Sequence, residues 1–258
     1  MSAASRWAES LAAWAIPDEI LAAAPQSPWI HPVQQFVVSD AISDSPSHAR
    51  AREALPPAGS VLDVGCGGGR AAFAVTPPAM LVLGVDHQQG MLDAFEAEAA
   101  RRGVEHRTHL GDWPQIADEV RPADVVVCHH VAYNVSDLVP FVAALDRHAS
   151  RRVVMEIPAR HPLSNLSPLW RRFWDLDRPD GPTAADAFDV CREAGFHARL
   201  ETWAAGSEST QEIPFDDQVR FTRIRLCLPA ERDAEVAAAL REMEPVPPRE
   251  LATLWWDV

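Results

Sequence analysis

Val61-Leu62-Asp63-Val64-Gly65-Cys66-Gly67-Gly68-Gly69 is the stretch whose reading decides the fold. An apolar run reaches an acid, and four glycines then fall within five residues. The run predicts a buried parallel strand, since neither side carries polar alternation. The glycines predict a tight turn where a ligand meets bare backbone. Arg70 to Val75 suits a helix start, which would aim amide N–H groups and a positive dipole end at that ligand. Strand, glycine turn and helix together form the entry to a doubly wound nucleotide-binding domain.

Outward from this turn, strand and helix patterns alternate. Strands are expected at 60–64, 80–85, 104–110, 123–128, 152–157, 197–204 and 250–257. Helices are expected between them, including 115–120, 166–175 and 184–194. Such alternation gives an α/β fold with an open, mostly parallel sheet and helices on both faces. Ligands then sit at the carboxyl ends of the strands. That edge carries Asp63, Asp86, Asp112, His129, His130 and Pro158. The alternation breaks after 204. There 215–228 fits helical spacing better than strand spacing, and 230–243 reads as a second helix of an insert between strands six and seven.

The ligand-binding domain is expected over 44–258, opened by Ser45-Pro46 as N-cap and first helical residue. Residues 1–43 are expected to form an N-terminal helical arm. Trp7, Leu11 and Trp14 share one helical face, Asp18 to Ala24 forms a second short helix, and 33–39 is a further candidate. Between them lies a proline-rich segment holding Trp29 and His31. The arm reads either as packing or as a lid over the site.

Composition narrows the function. The 258 residues carry a net charge of −14, and all 23 basic residues are arginine. Without lysine there is no Walker A loop, no lysine Schiff base and no lysine base. The acidic balance disfavours nucleic acid, which needs a concentrated basic face; the Arg101-Arg102, Arg151-Arg152 and Arg171-Arg172 pairs are scattered. No apolar stretch reaches membrane-spanning length, so no membrane partner is expected. The acid-bearing N-terminal segment does not read as a secretory signal. The four cysteines lack CxxC spacing, and reduced thiols in the cytoplasm are the simplest expectation.

The glycine turn could serve a dinucleotide, whose fingerprint is GxGxxG with an acid about 20 residues on. Gly65, Gly67 and Asp86 match, but Arg70 stands where the third glycine packs helix against strand. Asp63 is more telling. A carboxylate just ahead of the turn would repel a pyrophosphate and could receive an ammonium group. The ligand expected is nucleoside-like, with hydroxyls for Asp86, and cationic where a dinucleotide carries phosphates.

These motifs resemble those of the class I S-adenosylmethionine-dependent methyltransferases. The resemblance rests on residues 61–69, on Gly84-Val85-Asp86-His87 with Met91-Leu92 following, on Gly111-Asp112-Trp113, and on Asp124 to His130. It implies a doubly wound seven-stranded sheet of order 3-2-1-4-5-7-6 with a reversed last strand, and S-adenosylmethionine as cofactor. By the same resemblance, Asp63 would hold the methionine amine, and Gly65, Cys66 and Gly67 would pass their backbone along methionine and ribose. Asp86 would accept from both ribose hydroxyls and His87 would lie against the adenine. Gly111, Asp112 and Trp113 would border the adenine, with Asp112 accepting from its amino group. His129 would close over the methionine. Each role has a plainer alternative: a helix cap for Asp63, a turn for Asp112, core filling for Trp113.

The sulfonium methyl is already activated, so an in-line acceptor in a dry pocket is the main requirement. His130 and His161 are the candidate bases, should the acceptor need one. Trp29, His31, Tyr133, Trp170 and Trp174 are the candidate acceptor contacts, with core packing as the alternative for the tryptophans of 170–174. No metal site is expected, since Cys128-His129-His130 lacks a spaced partner. The expected function is methyl transfer to oxygen or nitrogen of a small-molecule acceptor. An NAD(P)-dependent oxidoreductase and a catalytically silent binding protein are the alternatives.

Overall fold

The computed structural model describes residues 1–29, 44–205, 214–243 and 249–258. Seven strands form one sheet: β1 (Gly59–Val64), β2 (Ala79–Asp86), β3 (Glu105–Leu110), β4 (Ala123–His129), β5 (Ala149–Pro158), β6 (Arg199–Ala204) and β7 (Glu250–Asp257). Their order is β3-β2-β1-β4-β5-β7-β6, as the resemblance implies. β1 to β5 pair in parallel, and β7 runs antiparallel to both β5 and β6. The order turns at β1 and β4, so their carboxyl ends open the crevice in which such sheets bind ligands.

Side-chain alternation assigns each face. Val61, Val125, Val127, Val154 and Trp255 face α3 (Pro46–Ala54) and α4 (Arg70–Ala74). α5 (Gln89–Arg102) covers the outer part of that face through Leu92, Phe95 and Ala99, which pack on Val82. On the other face Leu62, Val126, Met155, Leu254 and Trp256 meet α6 (Leu138–His148), α8 (Ala184–Glu193) and α1 (Ala3–Ala12). α1 enters this core through Ala3 and the fully buried Trp7.

The helix ends follow local chemistry. Ser45 caps α3 by accepting from the His48 N–H at 3.2 Å, with Pro46 at the first position. Gly103 ends α5 in the left-handed conformation, and Thr183 and Asp186 form a capping box on α8. α9 (Phe215–Arg225) is helical, as its spacing predicts. It packs with α2 (Asp18–Ala23), α7 (Ser167–Trp174) and α10 (Asp233–Glu242) around a second core of Ile16, Ile20, Leu169, Trp170, Val219, Leu226 and Val236. The helix expected at 115–120 is instead a tight turn ending in three 3₁₀ residues, Ala117–Glu119. Pro114 and the short span before β4 allow one i→i−4 bond, Ile116 to Asp112, before i→i−3 bonds take over. The helix expected at 33–39 lies outside the described residues.

Candidate active site

The glycine turn leaves β1 and folds back on β2: the Gly65 and Cys66 N–H groups both donate to the Val85 carbonyl, at 2.8 and 3.0 Å. Gly65, Gly67 and Gly69 have φ of 72°, 50° and 90°, a region costly for other residues. Gly65 is also pressed by the residue after His130, since a Cβ there would lie 2.3 Å from Val131 Cγ2. The β4 loop therefore lies directly against the turn.

Asp86, at the carboxyl end of β2, clamps the turn. One carboxylate oxygen accepts from the Gly67 N–H at 3.0 Å and the other from the Gln88 N–H at 2.9 Å. The Gly111 N–H donates to the Asp86 carbonyl at 3.0 Å, so the ends of β2 and β3 meet at this residue. His87 is exposed beside it, its Nδ1 3.8 Å from the carboxylate. Asp112 is exposed at the end of β3.

Asp63 is buried and accepts from the Ala72 N–H in the first turn of α4 at 3.1 Å. Gly69, the N-cap, has no side chain to do this, so Asp63 serves as the cap from a distance. Burial pushes its carboxyl up to about 7, against the lowering effect of the Ala72 N–H and with Asp86 adding to the rise. Between about 3.9, the unfolded value, and about 7, the folded protein holds a proton that the unfolded chain has lost. Asp63 therefore withdraws stability as pH rises through that window, on the order of 1 kcal/mol per pH unit. Asp63→Asn keeps an acceptor for Ala72 without the charge. It is expected to melt above the parent protein at pH 8 and no higher at pH 4, while binding an ammonium-bearing ligand more weakly. Thermal melts at the two pH values check this; an equal gain at both would refute the role of charge.

A polar row crosses the sheet one step beyond. His129 pairs with Glu156, and Glu156 with Thr253. The start of α3 lies on this row. The Ser45 hydroxyl donates to Glu156 Oε2 at 3.1 Å, Ser47 shares a 2.7 Å hydrogen bond with Thr253, and His48 stacks on His129 with ring centroids 5.5 Å apart. His130 Nε2 is 3.1 Å from Glu156 Oε1. Burial would raise the Glu156 carboxyl, yet His129, His130 and Ser47 around it hold it well below the usual carboxylate range. Burial pushes His129 down to about 3 and lowers His48. His129 is thus a neutral ring, and its buried Nε2 has no hydrogen-bond partner among the described residues.

Residues 61–151 match the model of a methyltransferase domain. The whole fold is similar to a methyltransferase from Thiobacillus denitrificans solved with S-adenosyl-L-homocysteine, with TM-score 0.54, 17% identity and 88% and 98% of the two chains covered. It is also similar to the YcgJ protein of Bacillus subtilis, with TM-score 0.54, 16% identity and 82% and 97% covered. Residues 61–151 thus match a methyltransferase domain, set in a seven-stranded sheet of order 3-2-1-4-5-7-6. An uncharacterized protein of Haemophilus influenzae is 26% identical over 210 residues, 77% of this chain and 76% of its own.

Several residues expected to line the methyltransferase pocket are used elsewhere. Tyr133 does not face an acceptor: it is buried, stacks on Trp7, and its hydroxyl donates to the Pro158 carbonyl at 2.8 Å, joining the β4 and β5 ends. His161 is not placed as a base. Its ring is stacked on Trp14 at 3.8 Å and edge-on to Tyr133, and burial pushes it down to about 4. Trp170 and Trp174 belong to the second core rather than a pocket wall, and the Trp174 indole N–H donates to the Leu226 carbonyl at 2.7 Å. The Trp113 ring packs against the main core, edge-on to His148 at 4.8 Å, which is the core-filling alternative. The Cys66 side chain also turns inward, beside Gly84 and Phe95, and burial raises its thiol, leaving its backbone for a ligand. Trp29 is half exposed, and His31 lies outside the described residues. Glu156, Ser45, Ser47 and His48 were not expected at the site. An acid inside the apolar run Val153-Val154-Met155-Glu156-Ile157 was the available signal. Among the described residues no group of three or more His, Cys, Asp or Glu side chains is arranged to hold a metal.

Proposed function

We propose that the protein transfers the methyl group of S-adenosylmethionine to a small-molecule acceptor. The observation that carries this is the succession of carboxylates at the ends of β1, β2 and β3 around a glycine turn. Asp63 is a buried, partly protonated acid that an ammonium group would restore to its charged form. Asp86 keeps two carboxylate oxygens at the crevice, each with a further lone pair for a ribose hydroxyl. Asp112 is exposed, and its carboxylate would accept from the adenine amino group. When bound, the cofactor supplies a methyl group that needs no further activation. The chain's own residues would hold it in place.

A small acceptor suits the acidic surface, net −14, which disfavours nucleic acid. No described helix is long and apolar enough to cross a membrane. Four buried free thiols support a reducing, cytoplasmic setting. Calorimetry with S-adenosylhomocysteine and with NAD(P)H tests the reading. Heat is expected from the first alone; binding of the nicotinamide nucleotide alone would overturn it.

A further inference from the structure

His130 is the residue of the polar row that packing does not explain. It has φ of 63°, a left-handed conformation costing a non-glycine residue about 1–2 kcal/mol. Glycine would fit there without strain, so backbone economy does not select histidine. Such outliers collect at functional sites, where the surroundings over-determine them. Here the surroundings are Glu156 twice over: its carbonyl accepts from the His130 N–H at 2.7 Å, and its carboxylate lies 3.1 Å from His130 Nε2. The ring is half exposed, and its neighbour Val131 presses on Gly65 of the cofactor turn.

We propose that His130 is the catalytic base of the transferase, positioned by Glu156, and that the acceptor is a phenolic or enolic hydroxyl. This rests on the methyltransferase reading above. A carboxylate accepting from Nε2–H fixes the tautomer and leaves Nδ1 as the proton acceptor. Nδ1 takes the proton as the hydroxyl O–H bond breaks. The oxygen lone pair forms the O–CH3 bond, and the S–CH3 pair stays on sulfur, which departs as the neutral thioether. Glu156 then faces an imidazolium, the counter-charge a buried carboxylate lacks.

The chemistry of the surroundings selects the acceptor. Ser45, Ser47 and His130 occupy the Glu156 carboxylate, and the cofactor takes Asp63 and Asp86. The groups around His130 are hydroxyls and imidazoles, which receive a neutral hydroxyl better than an ammonium. A phenol, at about 10, gives up its proton to a neutral imidazole far more readily than an aliphatic alcohol does.

The test uses the full chain with S-adenosylmethionine, reading release of S-adenosylhomocysteine. The acceptors are a broad panel of phenols and enols (catechol, resorcinol, umbelliferone and acetylacetone among them), against benzylamine and cyclohexanol. Turnover is expected with phenols or enols alone. His130→Gly, which suits the local φ, is expected to lower kcat about 100-fold or more. It should keep S-adenosylhomocysteine affinity, and added imidazole should restore part of the rate. Glu156→Gln should lower kcat with little change in KM, and Glu156→Asp should recover part of the loss. Turnover confined to amines or alcohols, an unchanged His130→Gly rate, or no hydroxyl turnover by protein that binds S-adenosylhomocysteine would each overturn the base. Failure to bind S-adenosylhomocysteine would instead overturn the cofactor assignment.

Discussion

Asp86→Ala is expected to lower affinity for S-adenosylhomocysteine at least about 100-fold while the protein still folds. Two charge-assisted hydrogen bonds to ribose, as proposed above, each about 1.5–3 kcal/mol, would account for that factor. The carboxylate also holds the turn itself, through the Gly67 N–H at 3.0 Å and the Gln88 N–H at 2.9 Å. Its removal therefore frees the segment that the methionine half of the cofactor would cross in the proposed mode, and the cost of reordering it would fall on binding. The fold survives because the two released donors lie at the crevice, where water can reach them. Asp86→Asn separates the two roles. An amide has one acceptor oxygen, so one of the two backbone N–H groups must face an NH2 group. The Asn variant is expected to bind nearly as poorly as Ala, although its volume is unchanged. Calorimetry with circular dichroism checks both, and wild-type affinity in Asp86→Ala would refute the placement of the ribose.

The glycine turn and the acids at the strand ends were legible because they depend on backbone and strand order. Apolar runs give the strands, the following acids mark their carboxyl ends, and glycines mark the turn. These features carry their meaning locally, so Asp63, Asp86 and Asp112 fall on one edge. The acceptor side is written differently. Tyr133 and His161 follow strands β4 and β5, as acceptor contacts would, but α1 and the turn after it cover that side and turn both inward against Trp7 and Trp14. Nothing near Tyr133 in sequence announces a helix more than 120 residues earlier, which the Trp7 hydrogen bond to Val135 spans. Trp170 and Trp174 were ambiguous for the same reason, since their partners on α2, α9 and α10 come from both ends of the chain. Glu156 is the opposite case. Its chemistry was visible as an acid in an apolar strand, but its partners on α3 and in β7 are set by register alone.

Trp7→Ala is expected to cost about 3–5 kcal/mol of stability, the range for removing a large buried aromatic. Trp7 is fully buried, its indole N–H donates to the Val135 carbonyl at 2.8 Å, and its ring stacks on Tyr133 with centroids 5.5 Å apart. Truncation empties a cavity in the main core and orphans a carbonyl in the loop after β4. For a chain of this size, the loss corresponds to a fall of about 10 °C in Tm. The variant also decides what the N-terminal arm is for. A lid that closes over bound cofactor adds little to the unliganded protein, so loss of its anchor would change cofactor affinity and leave the unliganded Tm in place. A helix that is part of the core does the reverse. Because Tyr133 ties the β4 loop to Pro158, the expected pattern is a large fall in Tm without cofactor, with S-adenosylhomocysteine affinity at low temperature within about threefold of the parent. An unchanged Tm with weakened cofactor binding would show that α1 works as a lid.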